Sequence, residues 1–184
     1  MTRPVFIAGK TVDLVPLTGE DATMIVKWLN DLDTILKLGP DPFPSGRKKQ
    51  EEYLDGLYRD RNQLILGIQF KSDGELIGTG GLSHIEWVNQ RAELTMCIGE
   101  TDRRGCGCGT EATRLILSHA FGKLNLHSVM LRVIAYNERA IRCYTKCGFR
   151  TIGRRREAKL VDGKYHDVIY MDILAAEFFS SARA

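Results

Sequence analysis

The chain has 184 residues, 43% of them hydrophobic and 27% charged, with a formal net charge of +3. This fits one domain over 1–184 with a packed core and a solvated surface. The mild charge makes no case for a nucleic-acid partner, and no apolar run reaches the roughly 18 residues that a membrane helix needs. The apolar stretch after Met1 is too short for a secretory signal, so a soluble cytoplasmic protein is expected. The five cysteines, Cys97, Cys106, Cys108, Cys143 and Cys147, are odd in number and lack a histidine at finger-like spacing. Free thiols in a reducing compartment are expected, with neither a disulfide framework nor a metal site.

Val12-Asp13-Leu14-Val15 reads as a short strand. A helix follows, started by Thr18 to Asp21, with the apolar face Met24, Ile25, Trp28 and Leu29. Three prolines within residues 40–44 break regular structure. A second helix is predicted over 47–61, from the helical spacing of Tyr53, Leu54, Leu57 and Tyr58. The period then changes to that of strands at 64–70, 76–82 and 92–98, with Asp73-Gly74 as a hairpin turn. A glycine cluster precedes a helix that buries Ala112, Leu115, Ile116, His119 and Ala120. A strand at 129–135, a helix at 138–146 and a strand from 149 to 152 come next. A final hairpin joins 157–161 to 165–173 through Asp162-Gly163. Arg154-Arg155-Arg156 reads as a solvated strand end. The order implies a mixed α/β architecture and not a regularly alternating doubly wound sheet.

Arg104-Gly105-Cys106-Gly107-Cys108-Gly109-Thr110 lies between a strand and a helix. Glycine permits tight-turn angles and removes the Cβ that would block an anion. The first amides of the following helix lack partners and carry the positive end of its dipole. Such a segment is a phosphate site. A P-loop does not fit, since this loop carries no Gly-Lys-Ser/Thr, and the Gly-x-Gly-x-Gly spacing departs from the dinucleotide fingerprint. The loop does fit the Arg/Gln-x-x-Gly-x-Gly/Ala pattern of the GNAT acetyltransferases at each fixed position. Downstream, Asn137-Glu138-Arg139-Ala140-Ile141-Arg142-Cys143-Tyr144-Thr145-Lys146-Cys147-Gly148-Phe149 resembles a second GNAT signature, Asn-x-x-Ala-x-x-x-Tyr-x-x-x-Gly-Phe. The two motifs occur in family order. The tail around Asp162 to Met171 is similar to the branch holding ribosomal-protein N-terminal acetyltransferases and spermidine acetyltransferases.

The resemblance implies a GNAT fold, a mixed central sheet of six to seven strands with about four helices, and an N-acetyltransferase using acetyl-CoA. It assigns cofactor contacts to Cys97, Ile98 and Gly99 on the strand before the loop, to Arg104, Gly105, Cys106, Gly107, Cys108, Gly109 and Thr110 in it, and to Asn137 and Ala140 beyond. Asn137 can also cap the next helix. Tyr144, one turn after Ala140, would protonate the departing thiolate, because a phenol is protonated at neutral pH; the alternative is a core aromatic. Cys97 is expected to act as a small buried hydrophobe. Glu93 is the first candidate for the general base, with pairing to Arg91 as its alternative. Glu86 and His84 are weaker candidates, and His127 is structural. Segments 36–58 and 162–167 would frame the acceptor cleft. The acidic residues Asp31, Asp33, Asp41, Glu51 and Glu52 could attract a cationic amine, or simply be solvated. A protein N-terminal amine is expected first as acceptor, and a polyamine, an antibiotic or another small amine second. A non-catalytic acyl-CoA-binding module is the reading from another class. Family members are often homodimers.

Overall fold

The computed structural model describes residues 3–38 and 43–181. Asp41 and most of the proline break lie outside the described residues. In chain order the elements are β1 (Val12–Val15), a 3-10 turn (Gly19–Asp21), α1 (Ala22–Leu29), α2 (Leu32–Leu38), α3 (Arg47–Gly56), β2 (Leu64–Phe70), β3 (Leu76–Glu86), β4 (Arg91–Ile98), α4 (Cys108–Gly122), β5 (Ser128–Ile134), α5 (Glu138–Lys146), β6 (Arg150–Val161), β7 (Lys164–Leu174) and α6 (Ala175–Ser181). One seven-stranded sheet runs β1-β2-β3-β4-β5-β7-β6. Among the described residues there are six helices, where about four were expected. None is long and apolar enough to cross a membrane.

Alternation along the strands divides the core between the two faces of the sheet. Val12, Leu14, Leu66, Ile68 and Ile77 join the cluster formed with Ala112, Ile116 and Leu117 of α4 and Tyr144 of α5. Val15 and Leu76 join Ala22, Ile25 and Trp28 of α1 and Leu54 of α3. Burying each large apolar side chain contributes about 1.5–3 kcal/mol, so both faces have a reason to keep their helices.

Two expectations are corrected, and two helices, α2 and α6, were not foreseen. The first helix stops at Leu29, and α2 begins because the Asp31 carboxylate accepts hydrogen bonds from the Thr34 backbone amide at 2.9 Å and hydroxyl at 2.7 Å. Asp31, read as a surface charge, is therefore a helix start signal. The helix predicted over 47–61 ends at Gly56, where the Leu57 amide bonds back to the Leu54 carbonyl at 3.2 Å. The strands at 149–152 and 157–161 are one strand, β6. Its register shifts against β7 between Thr151 and Gly153 and between Arg155 and Lys159. The second shift holds Glu157 at φ 51°, with its amide donating to Asp167 at 2.8 Å. Such a bulge breaks the period-2 signal that strand prediction relies on. Finally, α6 was not foreseen; its Phe178 ring packs on Phe121 of α4 at 5.6 Å.

The feature that places the site is the junction of β4 and β5, the sheet's one parallel pair. It is registered only at Arg91↔Ser128, Ala92↔Val129 and Glu93↔Met130. The vertex is pinned where the His127 and Ser128 amides both donate to the Gln90 carbonyl, at 2.6 and 3.2 Å. Beyond Glu93 the strands part, so residues 94–98 pair with β3 alone. A wedge opens toward the glycine loop.

Candidate active site

The wedge holds a cavity of about 520 Å³. Residues 93–98 of β4 and the end of β5 form its walls, the glycine loop its rim, and Asn137, Ala140, Cys143 and Tyr144 its α5 side. Predicted residues far apart in the chain thus meet at one opening.

The loop has the geometry of an anion cradle. Gly105 and Gly107 sit at φ +88° and +92°, and a Cβ on either would meet nothing within 4 Å. Gly107 is the N-cap of α4. Among the described residues, none of the backbone amides from Gly105 to Thr110 donates a hydrogen bond to the protein. Unpaired amides at a helix N-terminus suit a diphosphate. The side chains do other work. Cys106 points to solvent, Cys108 is buried in the core, and neither lines the cavity.

Arg104 was assigned to the cofactor, but its guanidinium is committed elsewhere. It donates to the Ile98 carbonyl at 2.8 Å, the Gly99 carbonyl at 3.1 Å and the Thr34 hydroxyl at 2.7 Å, and it bonds Asp33. Its side chain is 5% exposed. It therefore ties α2 to the end of β4, although part of it reaches the cavity wall.

Gly99 also departs from expectation, because it does not line the cavity. A Cβ there would lie 2.1 Å from the Trp28 ring. That ring is 3% exposed and is held by its Nε1 donating to Glu100 at 2.8 Å. Glycine stands at 99 so that α1 can approach the end of β4. Gly99→Ala is expected to destabilise the fold by about 1–3 kcal/mol through overpacking, read as a lower midpoint in urea. An unchanged midpoint would show that Trp28 can move aside.

Asn137 caps α5 as expected: its Oδ1 accepts from the Ala140 amide at 3.2 Å and its Nδ2 donates to the Lys37 carbonyl at 3.4 Å. Tyr144 is 9% exposed, with Phe149 edge-on at 5.9 Å. Among the described residues its hydroxyl has no hydrogen-bond partner. Burial, followed by the neighbouring Cys143, Cys97 and Cys147, pushes the phenol's pKa up and keeps its proton on. Burial also pushes the Cys97 thiol up to about 11, which suits a neutral wall. The thiol of Cys143 is held down at about 6, chiefly by its hydrogen bond with Cys147.

Glu93 stands at the vertex of the wedge. Its expected alternative partner, Arg91, pairs with Glu86 at 2.9 Å instead. Glu93 is gripped by Arg132 of β5, with Nε 2.6 Å from one oxygen and NH2 3.1 Å from the other. His84 Nδ1 lies 3.7 Å from Glu93. His84 and Glu86 do not line the cavity. Sequence reasoning missed Arg132, whose role depends on strand register. It also missed Arg139, Arg142 and Lys146 of α5, which line the cavity. Their helical spacing, three and seven residues on from the first, was a legible signal of a basic stripe facing an anion.

The profile described as "Acetyltransferase (GNAT) domain" matches residues 12–150. The chain belongs to the GNAT acetyltransferase family. It is an acetyl-CoA-dependent N-acetyltransferase. Within the family it is 31% identical to the "Putative ribosomal N-acetyltransferase YdaF" of Bacillus subtilis, over 66% of this chain and 64% of that protein. The match therefore spans less than two thirds of that relative. It is 28% identical to the spermidine N(1)-acetyltransferase of Escherichia coli K12, over 94% of this chain and 91% of that protein. The solved spermidine N-acetyltransferase of Vibrio cholerae, in complex with CoA and spermine, superimposes with a TM-score of 0.85. That comparison covers 93% of this chain and 99% of that one at 24% identity, which is a likeness of fold.

Proposed function

We propose that this GNAT enzyme acetylates a primary amine of a small polyamine by direct attack within a ternary complex. The observation that carries the reaction is the wedge between β4 and β5, bounded by unpaired amides at one end and Glu93 at the other. The fit to acetyl-CoA rests on the cradle at residues 105–110, the Cβ-free space beside Gly105 and Gly107, and the basic stripe of α5. Residues 94–98 offer a strand edge for the pantetheine arm. Amides near Ile98 can support charge on the carbonyl oxygen.

The acceptor nitrogen attacks the acetyl carbon, the carbon–sulfur bond breaks, and Tyr144 gives its proton to the sulfur. An amine of the lysine type, with a pKa of about 10.4, arrives protonated and needs help to lose its proton. Glu93 takes that role, directly or through water, while Arg132 fixes its orientation. A full-length relative named for spermidine supports the polyamine class, which displaces the protein N-terminus expected first from sequence. One observation favours the N-terminal amine of an acidic peptide as a second reading: the cationic Arg132, Arg155 and Lys159 are among the residues that line the cavity.

The test is an acceptor panel of spermidine, spermine and peptides with acidic first residues, following thiol release and product mass. Monoacetylated spermidine or spermine is expected. Acetylation of peptides alone would overturn the polyamine class. Acetyl-CoA binding with no turnover on any amine would favour the non-catalytic module.

A further inference from the structure

We propose that Cys106 and Cys108 form a reversible disulfide that closes the loop's amide cradle to its anionic ligand. The two sulfurs lie 2.7 Å apart, against about 2.05 Å in a disulfide bond. The residue between them, Gly107, is left-handed at φ +92°. That conformation turns the chain so that the side chains on either side converge, an arrangement an L side chain at 107 would resist. The pair differs in access. Cys106 is exposed and its thiol donates to the Arg103 carbonyl at 2.9 Å, while Cys108 is 1% exposed. Phosphate binding by backbone amides makes no use of either thiol, so the mechanism leaves both unexplained.

The chemistry balances with a hydroperoxide as oxidant. The sulfur of Cys106 attacks the terminal oxygen of the peroxide, the O–O bond breaks, and Cys106 becomes a sulfenic acid while the other oxygen leaves with the thiol's proton as water or alcohol. The sulfur of Cys108 then attacks that of Cys106. The S–O bond breaks, and water departs with the proton of Cys108. Two thiols are oxidised by two electrons and one hydroperoxide is reduced. Reduction by a dithiol restores both thiols by exchange. Burial, and next the hydrogen bond with Cys106, push the Cys108 thiol up to about 12. The accessible Cys106 is therefore the sulfur oxidised first.

Bond formation draws Cys106 onto the first residue of α4, takes its thiol off the Arg103 carbonyl and turns the Gly107 backbone. Amides that open on one space then diverge. This consequence rests on the placement of the CoA pyrophosphate at residues 105–110.

The test treats the full chain with hydrogen peroxide, blocks free thiols, and analyses the tryptic peptide 105–114, which contains both cysteines. The expected product is that peptide short of two hydrogens. CoA affinity by calorimetry should fall about tenfold or more, the loss of one or two charge-assisted hydrogen bonds. A dithiol should restore it. In Cys106→Ser, whatever its own affinity, the values before and after peroxide should coincide. Oxidation that gives only a Cys143–Cys147 bridge or a sulfinic acid at Cys106 would overturn the proposal. So would a Cys106–Cys108 bridge that leaves CoA affinity unchanged. A reduced enzyme that fails to bind CoA would overturn the cofactor placement, and the inference with it, while bridge formation is still read separately by mass.

Discussion

Tyr144→Phe is expected to lower kcat about a hundredfold, the usual scale for losing a positioned general acid, with little change in CoA affinity. The hydroxyl has no protein partner among the described residues, although the ring is 9% exposed. Its removal leaves no orphaned donor or acceptor behind, so it should not weaken the fold. The ring itself, packed edge-on to Phe149, is kept by phenylalanine. A core aromatic would give the opposite pattern, with turnover unaffected. The measurement is kcat with the preferred amine, alongside CoA binding by calorimetry and a urea midpoint. Turnover at the parental level would remove Tyr144 from the mechanism. Burial pushes the phenol up in pKa, so the acid stays protonated across the neutral range, and the parent enzyme should show no loss of rate from its ionisation there.

Gly107→Val should raise the KM for acetyl-CoA by about tenfold to a hundredfold with a smaller effect on kcat. Two causes add. At φ +92° a residue with a Cβ is strained by roughly 1–2 kcal/mol, more when it is β-branched. The branch also enters the open space beside the unpaired amides, where a diphosphate would approach. Gly107→Ala carries the strain with less bulk and should fall between parent and Val. A KM unmoved in both variants would place the cofactor's phosphates elsewhere. Comparing KM with the urea midpoint separates the two causes, since strain alone lowers stability without selecting against the cofactor.

Much of the fold was legible because local patterns agreed with it. The strands at 12–15, 64–70 and 129–135, the helix at 138–146 and the turns at Asp73-Gly74 and Asp162-Gly163 each follow from period or turn chemistry. What failed did so where a local signal was outweighed or hidden. A single aspartate, Asp31, starts α2, a helix of 7 residues that is too short to show a clear period. A bulge at Glu157 hid the continuity of β6. The amphipathic turn of α6 is too short to announce itself, and it gains its stability from Phe121.

For the site, the sequence alone determined the chemistry of the loop and of α5. The glycines at 105 and 107, the cap at Asn137 and the spacing of Ala140 to Tyr144 are local features, fixed within a few residues and readable without a fold. Tertiary structure decided what those features face. The parting of β4 from β5 after Glu93 makes the cavity, the register of β5 brings Arg132 to Glu93, and the approach of Trp28 explains Gly99 where a cofactor contact was expected. The folding of α2 onto the strand end takes up the side chain of Arg104. Each depends on groups tens of residues apart, and no periodicity in a chain encodes which distant partner a side chain will meet.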